Sequence, residues 1–133
     1  MNYYRIFSLF LMIIFALVGI IFLFLTDDVL RFFNTISGYL GMKPSPVHGQ
    51  GFYLILAVGY MYLVTLLAYR MYKQPENSFF PLLLAHGKLF SSILSFGLFI
   101  FHQPYLIYLT NLIVDGLIGI IALYFYQKVK MFA

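Results

Sequence analysis

The chain has 133 residues; 63% are hydrophobic and only 9% carry charge. Soluble domains carry about 25% charged residues, so this composition excludes an ordinary soluble domain and points to an integral membrane protein. The net charge of +4 does not imply nucleic acid, because the basic residues stand at the ends of apolar runs, where lipid headgroups and orientation account for them; the lack of cysteine excludes disulfides, thiolate metal sites and cysteine nucleophiles.

Four apolar runs follow one another, over residues 7–25, 51–69, 79–101 and 104–126. Each is near the ~20 residues that cross a hydrocarbon core ~30 Å thick. Backbone polar groups find no water there, so each run is expected to be helical; strands of a barrel would be shorter and would alternate. The expected fold is therefore all-α: a four-transmembrane-helix antiparallel bundle forming a single membrane domain over residues 1–133.

The first run follows Arg5, as the apolar part of a signal peptide follows a cation. It exceeds the usual ~7–15 residues and no small-x-small cleavage pattern follows, so it reads as a retained anchor. The connection 26–50 is the one long linker. Thr26, Asp27 and Asp28 are placed to cap a helix. Val29, Phe32, Phe33, Ile36 and Leu40 then recur at helical spacing, with Arg31, Asn34 and Ser37 between them. This predicts a short amphipathic helix over about 28–40 in the outer interface. Gly41 would end it, and Pro44 and Pro46 would keep the chain extended. Such a helix covers the mouth of a bundle; a lid over a ligand entrance is the other reading.

Arg5, Arg70, Lys73, Lys128 and Lys130 share one side of a four-span chain, and Arg31 and Lys43 share the other. Five cations against two predict that both termini are cytoplasmic. Arg70, Lys73 and Glu76 make a solvated loop, or a contact for anionic lipid. Tyr3, Tyr4, Tyr39, Tyr53, Tyr105 and Tyr124 are expected among the interfacial aromatics.

The third and fourth runs are joined by His102-Gln103-Pro104, which forces an antiparallel pair. Lys88 lies 14 residues before His102, roughly 21 Å along a helix; Asp115 lies 12 residues after Gln103, roughly 18 Å. The two charges therefore share a depth near mid-membrane. Lys88, Ser91, Ser92 and Ser95 form one stripe, and Asn111 and Asp115 form another. Together they predict a polar seam, with Gly116 and Gly119 allowing the helices close together. A lone charge at this depth costs at least ~2.5–3.5 kcal/mol, which pairing would offset. The seam reads as a structural lock, as a site that binds or conducts, or not at all if Lys88 snorkels to the nearer face.

His86 stands about 200° round the helix from Lys88 and is a packing residue or a proton acceptor. Tyr60 is mid-membrane and needs a partner, which the seam could supply. His48 and His102, at the outer ends of spans, could face each other as metal or haem ligands, but no third ligand or spacing motif accompanies them, so no metal site is assigned. The cofactor is left unknown, since no cofactor-binding set of residues is found in the sequence. HExxH, P-loop, Gly-rich nucleotide and GxSxG motifs are missing from the sequence, and Asp115 has no second carboxylate beside it for acid–base work.

With Gly87-Lys88 and Ser91-Ser92 in the third span, and Val114-Asp115-Gly116 in the fourth, the chain resembles the small four-helix membrane proteins loosely called DoxX-like. The resemblance spans the whole chain as topology. It implies a compact bundle with no common activity; some relatives are subunits of membrane redox complexes. Three functions stand open: an accessory or assembly subunit with a structural Lys–Asp seam, a binding or transport unit for a small anionic or amphipathic ligand or protons, and a lipid-modifying enzyme using Asp115 or His86. The partners expected are membrane lipids and a membrane-protein partner or a second copy of the chain.

Overall fold

The computed structural model describes residues 2–47 and 51–132. Among them are five helices and no strand: α1 Asn2–Phe24, α2 Thr26–Leu40, α3 Gly51–Lys73, α4 Phe79–Phe101 and α5 Leu106–Phe132. Four of these, α1, α3, α4 and α5, are long and apolar enough to cross a membrane. A helix of 23 residues, as α1 and α4 are, extends roughly 34 Å, which suffices for a ~30 Å core. The helices run past the apolar sequence at several ends. α3 continues through Arg70 and Lys73, where cations suit the negative end of a helix.

The spans assemble as two closely packed pairs, α1 with α3 and α4 with α5, and α3 joins the pairs through α4. One apolar cluster runs through both, from Tyr4, Leu11 and Phe15 to Val64, Ala68 and Met71, and on to Leu84, Ala85, Ala122 and Val129. Large apolar side chains such as Ile13, Ile55, Phe90 and Ile120 face outward. In water they would be a liability; in hydrocarbon they are matched to their solvent. Tyr4 departs from the expected interfacial aromatics: it is 1% exposed and its ring packs edge-on against Phe125 at 5.4 Å. Tyr105 is also buried. Tyr4 turns into the core from the first turn of α1, and Tyr105 stands just before α5 with its ring 5.5 Å from Tyr108; a sequence does not say which way either ring turns.

α4 opens with its first backbone N–H donating to the Asn77 side chain at 3.0 Å. Pro81 lies in that first turn, where a missing N–H breaks no helical bond.

α2 follows α1 after a single non-helical residue, Leu25. The expected cap is not formed. Thr26 is already helical, and its hydroxyl donates back to the Phe22 carbonyl, which takes it out of the capping role. Asp27 and Asp28 sit in the first turn, where carboxylates suit the positive end. The face turned to the bundle overlaps the predicted stripe only in part. Leu30 and Ser37 are buried, and Val29, Phe33, Asn34 and Ile36 are partly covered, while Phe32 and Leu40 point outward. The helix touches both α1 and α5, and these two neighbours set which strip is covered. Gly41 ends α2 at φ 69°, a left-handed conformation that favours glycine; the Met42 N–H then bonds to the Ser37 carbonyl at 2.8 Å.

The linker beyond is fastened twice. The Asn34 side chain donates to the Ser45 carbonyl at 2.9 Å and accepts the Ser45 N–H at 2.8 Å. Lys43 donates to the Gln103 side chain at 2.8 Å, which ties the linker to the α4–α5 turn. α2 and its linker thus form a strap across the end of the bundle that holds this turn.

Candidate functional site

The antiparallel α4–α5 hairpin brings the two predicted stripes into contact. The Lys88 ammonium lies 3.2 Å from Asp115 Oδ1, and the two residues are 3% and 4% exposed. Lys88 does not snorkel. Two rings from the other helix pair enclose its charge: Phe15 of α1 at 4.3 Å and Tyr60 of α3 at 5.0 Å from the nitrogen to the ring centroid. A desolvated cation over an aromatic face gains on the order of 2 kcal/mol. The ion pair is therefore the place where all four spans meet, although its two charges belong to one hairpin.

The rest of the seam follows the predicted register. Asn111 donates to Ser95 Oγ at 2.6 Å and to Ser91 Oγ at 3.0 Å, so one amide links two turns of α4. Ser92 donates to the Leu112 carbonyl at 2.7 Å. These bonds require close backbones, and glycine provides them. A Cβ on Gly116 would stand 3.0 Å from Ser92 Oγ; one on Gly119 would stand 2.7 Å from Leu89 side-chain carbons. Contacts under 3 Å of this kind force a shift, so Gly119 in particular sets how closely the hairpin closes.

Tyr60 reaches the seam, as its depth suggested. A Cβ on Gly87 would lie 3.8 Å from the Tyr60 ring and hydroxyl, which places this phenol against α4 next to Lys88. Its hydroxyl is buried without a hydrogen-bond partner, and so is Asp115 Oδ2. Phe15 is the seam residue that sequence reasoning missed. It is one aromatic in an uninterrupted apolar run, and nothing in the sequence marks it as the roof over a cation.

His86 does not join. It is exposed on another face of α4, and its Nδ1 bonds to the Leu82 carbonyl at 2.9 Å, one turn back. His102 is exposed at the end of α4, and His48 lies outside the described residues. Among the described residues no group of three His, Cys, Asp or Glu is placed to hold a metal ion.

Chemically, the seam is an ion pair with its carboxylate half satisfied, flanked by a self-bonded Ser–Asn ladder. It can fix the register of α4 on α5, and Asp115 Oδ2 with the Tyr60 hydroxyl can take one further donor and acceptor. Compared with protein-family models, curated proteins and solved structures, the chain matches none.

Proposed function

We propose that the chain is a non-enzymatic accessory or assembly protein of a membrane complex, in which the Lys88–Asp115 seam is an internal lock. One observation carries this reading. The seam's polar groups are directed at one another and closed over by Phe15 and Tyr60, so that little is offered to a substrate. Lipid tails are as apolar as leucine, so helices in a membrane gain little from the hydrophobic effect and need specific contacts to choose a partner. A buried pair supplies that choice. The apolar outer faces are left for lipid and for a partner subunit or a second copy. The termini, which share one side of the chain with five cations, lie in the cytoplasm on this reading, and the whole chain acts as one unit. The DoxX-like resemblance agrees with a small bundle that works beside other membrane subunits.

Lys88→Met, Asp115→Leu and the double change test the lock. Each single change strands a buried charge, and the double change removes both. The lock predicts that the singles lower folded yield and association with the partner, and that the double restores both. A double variant that folds fully but fails in the cell where the wild type succeeds sinks the structural reading.

A second reading, a proton or small-ligand site, has its own observation: Asp115 Oδ2 and the Tyr60 hydroxyl are buried and unpartnered. It predicts that failure of the double variant. A lipid-modifying enzyme is the least supported. Asp115 is inside the seam and His86 is on an exposed face of α4, so the two titratable groups do not share a substrate. Turnover of lipid or quinone by the purified chain would reinstate it.

A further inference from the structure

We propose that the cleft between the start of α1 and the end of α3 binds the headgroup of an anionic phospholipid, with the lipid chain lying along α1. The cleft, of about 340 Å³, is open to the surface and is lined by Asn2, Arg5, Ile6, Leu9 and Tyr72. The four α1 residues follow i, i+3, i+4, i+7 spacing, so they form one stripe along the helix. Read from the N-terminus, that stripe is polar for one turn and apolar for the next. Its order, amide and guanidinium and then two aliphatic side chains, is the order of a lipid from headgroup to chain. Ile6 is 64% exposed and Leu9 37%, so both are available to that chain.

The charge complements a phosphate in particular. The Arg5 guanidinium lies 5.0 Å from the Tyr72 ring centroid, which holds it at the cleft. Among the described residues no carboxylate is paired with it. A guanidinium so placed keeps N–H donors for a phosphate, whose geometry its planar fork matches.

The surroundings favour a lipid over a soluble anion. Lys73, Lys128 and Lys130 lie over Tyr69, Tyr124 and Tyr126, each four residues back on the same helix, at 5.9, 5.5 and 5.8 Å. Helical side chains lean towards the N-terminus. At the C-terminal ends of α3 and α5 that lean carries each ammonium back over a ring towards the apolar body of the helix, rather than out into water. The cations of this end are thus held where headgroup phosphates lie. Glu76 is the one acidic side chain in the chain segments on this side. Neutral lipids gain nothing from such a field, whereas anionic ones are drawn to it.

The test is lipid selectivity of the full chain in vesicles of about one part phosphatidylglycerol to about four parts phosphatidylcholine, read with spin-labelled lipids by electron paramagnetic resonance. We expect labelled phosphatidylglycerol to be retained on the order of threefold over labelled phosphatidylcholine, and Arg5→Gln to remove about half or more of that preference. Lys43→Gln, at the opposite end, is expected to leave it unchanged. Equal retention of the two lipids, or an undiminished preference in Arg5→Gln, overturns the proposal. So does loss of the preference when inorganic phosphate replaces chloride at constant ionic strength, which would make the ligand a free anion. If Arg5→Gln does not reconstitute, Leu9→Cys carries the test, because the chain has no other thiol for a fluorophore. Stronger quenching there by brominated phosphatidylglycerol than by brominated phosphatidylcholine supports the site, and equal quenching rejects it.

Discussion

The two helix pairs of this bundle are held together by different means. In α4–α5 the contact is polar and directional: an ion pair, a two-pronged amide and a serine bonded across to a carbonyl. In α1–α3 it is apolar. Two hydroxyls of α1 are buried, those of Tyr4 and Ser8; Ser8 donates to the Tyr4 carbonyl of its own helix at 2.8 Å, so it satisfies α1 without contributing to the pair. Gly19 brings the backbones together there, and a Cβ on it would stand 3.2 Å from Met61 Cβ. Where lipid competes equally for apolar surface, shape fit and polar bonds both select a register, and only α4–α5 has the polar bonds. The α4–α5 hairpin is the specified half of the molecule, and α1–α3 packs on it through Phe15 and Tyr60.

The most severe way to break this contrast is to unpair the seam. Lys88→Met leaves Asp115 buried without its counter-ion, and removal of one partner of a buried pair costs about 3–5 kcal/mol. Reversible unfolding in mixed micelles should show a loss of that size. Phe15→Leu, which takes away one ring over the ammonium but leaves the pair, should lose clearly less. Equal losses would mean that the aromatic roof contributes as much to stability as the ion pair does.

Glycine comes next. Gly119→Ala puts a methyl where Leu89 already stands, and overpacking of a close interface costs typically ~1–3 kcal/mol. Gly19→Ala meets its neighbour at 3.2 Å rather than 2.7 Å and should cost less, because α1–α3 has no polar register to disturb. Leu89→Ala in the Gly119→Ala background should recover much of the loss. If Gly19→Ala is the more damaging of the two, the apolar pair is the tighter one and the contrast is reversed.

Hydrogen bonds give a smaller effect. Interhelical bonds in membranes average about 0.6 kcal/mol, so Asn111→Leu, which removes two, should cost roughly 1 kcal/mol. Ser8→Ala should cost only a few tenths, since its bond lies within one helix. Matched losses for the two would mean that the Asn111 bridges add nothing to association.

The seam was legible because depth and angle are both countable along a helix. The short 102–104 turn fixes the pairing, the rise per residue then sets Lys88 opposite Asp115, and the i, i+3, i+4 rule gathers Ser91, Ser92, Ser95 and Asn111. The spans were legible because lipid demands long apolar helices. What sequence does not encode is rotation about a helix whose whole surface is apolar. Phe15 turns inward and Ile13, two residues away, turns outward, yet both are hydrophobic in the same run. Tyr4 was misplaced for the same reason. α2 differs again: its apolar stripe is covered only in part, at Val29, Phe33 and Ile36, while Leu30 and Ser37 are the buried residues, because contact with both α1 and α5 decided its rotation; and Thr26 bonded backward instead of capping.

The smallest change separates the two readings of the site. Tyr60→Phe keeps the ring over Lys88 and deletes a hydroxyl that is buried without a partner. A buried group of that kind carries a desolvation penalty of about 1–3 kcal/mol, so deleting it from a structural lock should leave stability unchanged or raise it by up to about 1 kcal/mol. The polar α4–α5 bonds should be untouched, because none of them uses this oxygen. A loss of stability instead would show that the hydroxyl has a partner, either the Ser91 side chain of α4 or a bound water or ligand. Unchanged stability with loss of cellular activity would favour a proton or ligand site over a lock. That outcome would move the centre of the molecule from the ion pair to the two unpartnered oxygens beside it.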